Sequence, residues 1–118
     1  GIPVDADLVM DCRFIPNPQW IPELRPLNGL DKPVSDNVLG AENVQEFLER
    51  YQQLFETVAK GFFAEGRKYL TLAVGCTGGK HRSVAIAEEL VRRLNAQPEI
   101  SDRSIEAAAI HRDLGREK

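Results

Sequence analysis

Residues 67–75, "RKYLTLAVG", form a continuous apolar and β-branched run with no polar alternation. A strand of this kind offers no face to water, so it belongs in a parallel sheet with helices on both sides. Directly after it comes "CTGGKHRS" (76–83), and then helical spacing at Val84, Ala87, Val91 and Leu94 over 81–96, closed by Pro98. A second helix is predicted over 43–63, where Val44, Phe47, Leu48, Tyr51, Leu54, Phe55, Val58, Ala59 and Phe62 share one stripe and Gly66 is a natural stop. "ADLVMDCRF" (6–14) reads as a first buried strand of about six residues. Strand, helix, strand, helix predicts a small α/β layered domain with a mainly parallel sheet flanked by helices.

Two segments resist this pattern. Residues 15–40 hold five prolines and two glycines, and they are predicted to be a long ordered loop without a regular element, anchored by Trp20, Ile21, Leu24 and Leu27. "SIEAAAIHRDL" (104–114) favours helix by propensity, whereas a strand at 107–112 would complete a second β-α-β unit.

A chain of 118 residues, 42% hydrophobic and 28% charged, has the size and balance of one globular domain. No apolar stretch reaches the roughly 18 to 20 residues of a membrane span. There is no basic-then-apolar leader, and Gly1-Ile2-Pro3 reads as a cut inside a longer chain. Two cysteines far apart, neither with a C-x2-C partner, point to a reduced, cytoplasmic setting and away from a disulfide framework or a metal site. A net charge of −3 argues against indiscriminate nucleic-acid binding. The charge is uneven: five Lys/Arg face ten Asp/Glu over 1–60, and ten face eight over 61–118, which permits an anion site in the second half.

The loop at 76–83 carries the chemistry. Gly78 and Gly79 can take positive φ and let backbone amides converge on an anion, beside the positive end of the following helix. That end contributes up to about 2 kcal/mol, while even a millimolar ligand requires about 4 kcal/mol. The fixed charges of Lys80 and Arg82 must therefore contribute, with Thr77, His81 and Ser83 as orienting donors. The plainer reading is a tight turn followed by a solvated basic first turn; on the anion-site reading too, Arg82→Ala is expected to leave the domain folded, because Arg82 lies on a first helical turn. Basic groups there oppose the helix dipole, which disfavours a purely incidental origin. A Walker A loop is excluded, since only three residues separate Gly75 from Gly79 and His81 stands where Ser/Thr would hold magnesium.

A cysteine-dependent phosphatase is the competing reading, because Cys76-x5-Arg82 followed by Ser83 has the right frame. Gly75 stands where such enzymes have His, and no Asp is marked as a general acid. Cys76 is otherwise a small residue at a strand end. If the two strands are parallel neighbours, Asp11, Arg13 and Asn17 emerge at the same sheet edge as Thr77 to Ser83. Arg82 and the glycines would then take a phosphate, and Asp11 and Asn17 the polar groups of a sugar. An Asp11–Arg13 ion pair is the equal alternative.

"DADLVMDCRFIPNPQW", "ELRPLNGLDKPV" and "YLTLAVGCTGGKHRSVAIAEEL" resemble the C-terminal domain of the RNase adapter RapZ, or YvcJ, family, in an actinobacterial variant, with "HRDLGREK" fitting its terminal segment. The resemblance spans nearly all of residues 1–118 and implies one ligand- and RNA-binding domain, with a P-loop NTPase domain on the N-terminal side. It implies an α/β fold like a phosphofructokinase subdomain, no catalysis and no cofactor or metal in this domain, and a homo-oligomer for the full-length protein. Its partners would be a phosphorylated amino sugar such as glucosamine-6-phosphate, small regulatory RNA and an endoribonuclease, with no membrane. It places Asp11, Arg13, Asn17, Gln19, Thr77, Gly78, Gly79, Lys80, His81, Arg82 and Ser83 at the ligand pocket, and it makes 107–112 a strand. Two departures stand out. Gln19 replaces the His of the family's N-P-H-W, removing a titratable contact. The tail offers Arg112, Arg116 and Lys118 for RNA but also Asp113 and Glu117, so RNA binding should be weaker than with a basic tail. A bland alternative is an oligomerisation module whose loop binds anions incidentally.

Overall fold

A computed structural model describes residues 5–97, 99–100, 103–104 and 106–111. Strand β1 (Leu8–Asp11) pairs in parallel with β2 (Leu72–Gly75), in the register Leu8↔Leu72 through Asp11↔Gly75. Asp7 fixes that register at the start of the ladder. Its Oδ2 accepts the Thr71 amide at 2.8 Å, its Oδ1 accepts Arg67 Nη2 at 2.7 Å, and its own amide reaches Thr71 O at 2.8 Å. At the far end the Cys12 amide donates to Gly75 O at 2.8 Å, so both strands stop together.

The strands are shorter than the apolar runs that announce them. Among the described residues this sheet has two strands, and Leu72, Ala73 and Val74 are half-buried. The expectation of a strand covered on both faces is therefore corrected. Among the described residues β2 has the single partner strand β1, and of its residues Leu72 and Val74 pack against the core.

Helix α2 (Val44–Ala64) buries Val44, Leu48 and Ala59 and leaves Leu54 half-exposed, so the predicted stripe is right in place and too wide. It ends as the sequence predicts. Gly66 takes φ 87°, the Gly66 amide reaches Phe63 O at 3.0 Å and the Arg67 amide reaches Phe62 O at 3.1 Å. That pair of bonds is a Schellman closure, available to glycine at no steric cost. Tyr51 on this helix donates its hydroxyl to Val9 O at 3.3 Å, tying α2 to β1.

The proline-rich segment contains regular structure, contrary to expectation. A 3-10 turn spans Pro18–Trp20 and helix α1 spans Lys32–Leu39. Pro33 sits in the first turn of α1, where a missing N–H costs no hydrogen bond and the fixed φ suits a helix. Val34 and Val38 of α1 are fully buried beside Met10, Cys12 and Ile15.

Helix α3 (Arg82–Ala96) buries Val84, Ala85, Ile86, Leu90 and Leu94. Residues 81–86 are buried without a break, because the proline-rich loop wraps the first turns of the helix. Beyond α3, β3 (Glu99–Ile100) and β4 (Arg103–Ser104) form a short antiparallel pair that no sequence signal announced. The strand expected at 107–112 is absent over 107–111, which are neither strand nor helix; Arg112 lies outside the described residues, as does Pro98. Asn95 explains part of this. Its amide accepts the Ala107 N–H at 2.9 Å and donates to Ala107 O at 3.1 Å, occupying both groups a ladder would use there. Among the described residues no helix is long and apolar enough to cross a membrane.

Gly29 marks where the loop meets α3. Its amide reaches Lys80 O at 2.9 Å, and a Cβ there would lie 2.5 Å from His81 O and 2.6 Å from Ala85 N. Both obstacles are backbone atoms and cannot rotate aside. Gly29→Ala should therefore destabilise the domain by about 2 kcal/mol or more, lowering its melting temperature by roughly 5 to 10 °C in a calorimetric scan.

Candidate functional site: a cationic cleft at the carboxyl end of the sheet

Because β1 and β2 end in register, the segments that leave them start side by side. Asp11, Arg13 and Asn17 on one segment and Thr77 to Ser83 on the other do share one edge. This is the edge where open α/β sheets carry ligands. A cleft of about 850 Å³ opens there. Arg13, Asn17, Thr77 and Arg82 supply its polar lining, Phe14 and Trp20 much of its apolar lining, and the end of α1 its remaining side.

Arg82 is the group on which the cleft is built. It is 4% exposed, and its Nη1 donates to Arg13 O at 3.1 Å and Ile15 O at 3.0 Å. Its Nε is buried with no partner, and among the described residues no carboxylate pairs with it. A buried cation held by carbonyls alone keeps most of its charge uncompensated. Arg82→Ala is consequently not the harmless surface change the sequence suggested, since it would free two carbonyls of the loop.

Its neighbours in sequence act alike. Lys80 Nζ donates to Arg25 O at 2.9 Å, and the buried His81 places Nε2 3.2 Å from Leu24 O. Both residues hold the proline-rich loop and neither lines the cleft. Gly78 and Gly79 take φ 84° and 63°, the left-handed geometry that a glycine loop of this kind calls for. Thr77 and Gly78 are exposed.

Ser83 and Cys76 bond to each other. The Ser83 amide donates to Cys76 Sγ at 3.3 Å, and the thiol lies 3.2 Å from Ser83 Oγ. Cys12, which follows β1 as Cys76 follows β2, is fully buried, and that burial pushes its thiol up to about 12. Both cysteines are free. Among the described residues no cluster of three or more His, Cys, Asp or Glu could hold a metal ion.

On the other segment, Asp11 and Arg13 take up each other. Arg13 Nη2 lies 2.7 Å from Asp11 Oδ2, Arg13 Nε reaches both carboxylate oxygens at 3.0 Å, and the Arg13 amide adds a bond at 2.9 Å. Asn17 Oδ1 caps the 3-10 turn by accepting the Gln19 amide at 3.0 Å. The Gln19 side chain is exposed and stands outside the cleft lining, while its carbonyl accepts Arg25 Nε at 2.9 Å. Arg112, Arg116 and Lys118 lie outside the described residues. Sequence reasoning missed the aromatic part of the site. Trp20, read as an apolar anchor of the loop, is 78% exposed at the cleft, and Phe14 is half-exposed with its ring 4.8 Å from that of Phe47. Two aromatic residues next to Pro16 and Pro18 were the available signal.

The Asp11 carboxyl is held near 2, below its ordinary 3.8, chiefly by the Arg13 side-chain hydrogen bonds and then by the Arg13 amide. A depressed carboxyl favours the fold above the ordinary aspartate range and loses that contribution as pH falls from about 4 toward 2. A carbon NMR titration should place Asp11 near 2, and Arg13→Ala should return it toward the ordinary value.

The chain matches the family described as the RapZ C-terminal domain over residues 1–115. It is 61% identical over 117 residues to a protein of Saccharopolyspora erythraea, covering 99% of this chain and 38% of that one. It is 56% identical over 117 residues to a protein of Thermobifida fusca, with 99% and 38% coverage, and 54% identical over 117 residues to one of Mycobacterium avium, with 99% and 39%. All three relatives carry the name nucleotide-binding protein, and the chain spans less than two fifths of their length. The chain belongs to the RapZ C-terminal domain family.

Proposed function

We propose that this domain is a non-catalytic sensor that binds a small phosphorylated ligand, a phosphorylated amino sugar by the family resemblance, in the cleft at the carboxyl end of the sheet. The observation that carries this reading is the buried guanidinium of Arg82 at that cleft, which no carboxylate pairs among the described residues. An anion entering there would meet Arg82 and the Thr77 hydroxyl, while Trp20 and Phe14 would cover an apolar ring face. Presentation of RNA or a protein partner, as the resemblance implies, would fall to other surfaces, with Arg112, Arg116 and Lys118 as the RNA contacts.

The phosphatase reading draws on the Cys76–Ser83 bond, yet the fork that should hold a phosphoryl group over the thiol is occupied at Nη1 by Arg13 O and Ile15 O. The pure domain should release no phosphate from an aryl phosphate. Release that Cys76→Ser abolishes would overturn the sensor reading.

Trp20 is the single tryptophan of the chain and lines the cleft, so its emission reports occupancy directly. Titration with glucosamine-6-phosphate should change Trp20 fluorescence saturably. Thr77→Val should weaken that binding about tenfold, the effect of one hydrogen bond to a charged acceptor, without changing the melting temperature. Saturable binding with an unmoved Trp20 signal would place the ligand elsewhere.

A further inference from the structure

Neither cysteine has a part in ligand binding as read above, yet the sheet brings the two together. Asp11 and Gly75 are the last residues paired in register, and the Cys12 amide donates to Gly75 O at 2.8 Å, one bond past that pair. Cys12 and Cys76 come next on the two strands, so they leave the ladder side by side. Parallel neighbours lie about 5 Å apart, and a disulfide spans Cα atoms separated by roughly 4.4 to 6.8 Å. The side chains also share a face. Cys12 lies two residues beyond Met10 and Cys76 two beyond Val74, and all four pack in one apolar cluster. The charge state of one sulfur reaches the other, since after burial itself Cys76 is the next cause that raises the Cys12 thiol. Their exposure differs. Cys12 is fully buried, whereas Cys76 is half-buried at the start of an exposed turn. Sγ of Cys76 also has donors beside it, the Ser83 amide in the first turn of α3 at 3.3 Å and the Ser83 hydroxyl at 3.2 Å. Such groups stabilise negative charge on a sulfur as it attacks.

We propose that Cys76 is an oxidant-reactive thiol and Cys12 its resolving partner, so that a hydroperoxide converts the pair to a disulfide between the ends of β1 and β2. Cys76 Sγ, as thiolate, attacks the terminal oxygen of the peroxide. The O–O bond breaks, an S–O bond forms, and the other oxygen leaves as water or an alcohol with the proton that Cys76 gave up. The Cys12 sulfur then attacks Cys76 Sγ, and the S–O bond breaks as the S–S bond forms. The sulfenic oxygen leaves as water with the Cys12 proton. The two thiols lose two electrons and the peroxide gains them. Burial keeps Cys12 out of reach of the oxidant, so the first step falls on Cys76. A disulfide is neutral and suits the apolar cluster that holds both sulfurs. Thiols reverse it, which agrees with two free cysteines in the resting domain. Arg13 follows Cys12 and Thr77 follows Cys76, so the bond ties together the two segments that line the cleft.

The test treats the whole chain with hydrogen peroxide under native conditions, alkylates the remaining thiols and maps the peptides by mass spectrometry, in wild type, Cys76→Ser and Cys12→Ala. Wild type should lose both free thiols together and yield a Cys12–Cys76 linked peptide from a single chain, which dithiothreitol separates. Cys12→Ala should hold a sulfenic acid on Cys76 that dimedone captures at least about tenfold more than in wild type, and Cys76→Ser should keep Cys12 reduced. The oxidised wild type should melt roughly 5 °C or more above the reduced one, because the bond closes a long loop. The wild-type arm requires no variant to fold. Cys76 oxidised while Cys12 stays free, a disulfide formed only between chains or only in denaturant, or an oxidised chain that melts lower would each overturn the pair. Oxidation of Cys12 in a folded Cys76→Ser chain would do the same.

Discussion

A chain segment with five prolines has lost five of the backbone donors that would satisfy its own carbonyls, and this one still lies against the core. The donors come from the short basic run before and at the start of α3. Lys80 takes Arg25 O, His81 takes Leu24 O, and Arg82 takes both Arg13 O and Ile15 O. Hydrogen bonds from charged donors contribute about 1.5 to 3 kcal/mol each where they are shielded from water. Gly29 lets the same loop come within contact of the α3 backbone. Much of what is unusual about this small domain follows, including a helix whose first turns are buried on every side.

The arrangement has an electrostatic consequence. Carbonyls solvate a guanidinium without neutralising it, so a cation is installed at low dielectric next to a cleft. In a chain with a net charge of −3 this is a local reversal of sign. The same residues that organise the loop thereby make the cleft attractive to anions, and structural and functional roles for Arg82 do not compete. Lys80 and His81 are a different case, since their carbonyl contacts account for them and the cleft lining does not include them.

Much of the fold is legible in the sequence where periodicity and termination coincide. The stripe from Val44 to Phe62 with Gly66 gives α2, and the apolar run before "GCTGGKHRS" gives β2 and the turn into α3. The two glycines at positive φ are legible as well, because only their chemistry makes that turn cheap. Helix α1 was hidden by counting prolines without placing them, for Pro33 occupies the one turn of a helix that tolerates it. At the sheet edge, spacing alone could bring Asp11 and Arg13 to the site but could not decide that they would bond to each other. The cleft's far wall at Asn37 and Gly40 was not legible at all. It depends on where α1 docks, which is a tertiary fact with no local sequence signature.

The central claim is that the Arg82 guanidinium, with Nη1 seated between Arg13 O and Ile15 O, holds the proline-rich loop and so shapes the cleft. Arg82→Lys keeps the charge and removes the planar fork. Native-state hydrogen exchange on this variant measures the difference residue by residue. The amides of Ile15, Trp20, Leu24 and Leu27, which close the loop's internal turns, should exchange at least about tenfold faster, while amides in the middle of α2 keep their wild-type rates. Loop amides that exchange at wild-type rates in Arg82→Lys would contradict the account.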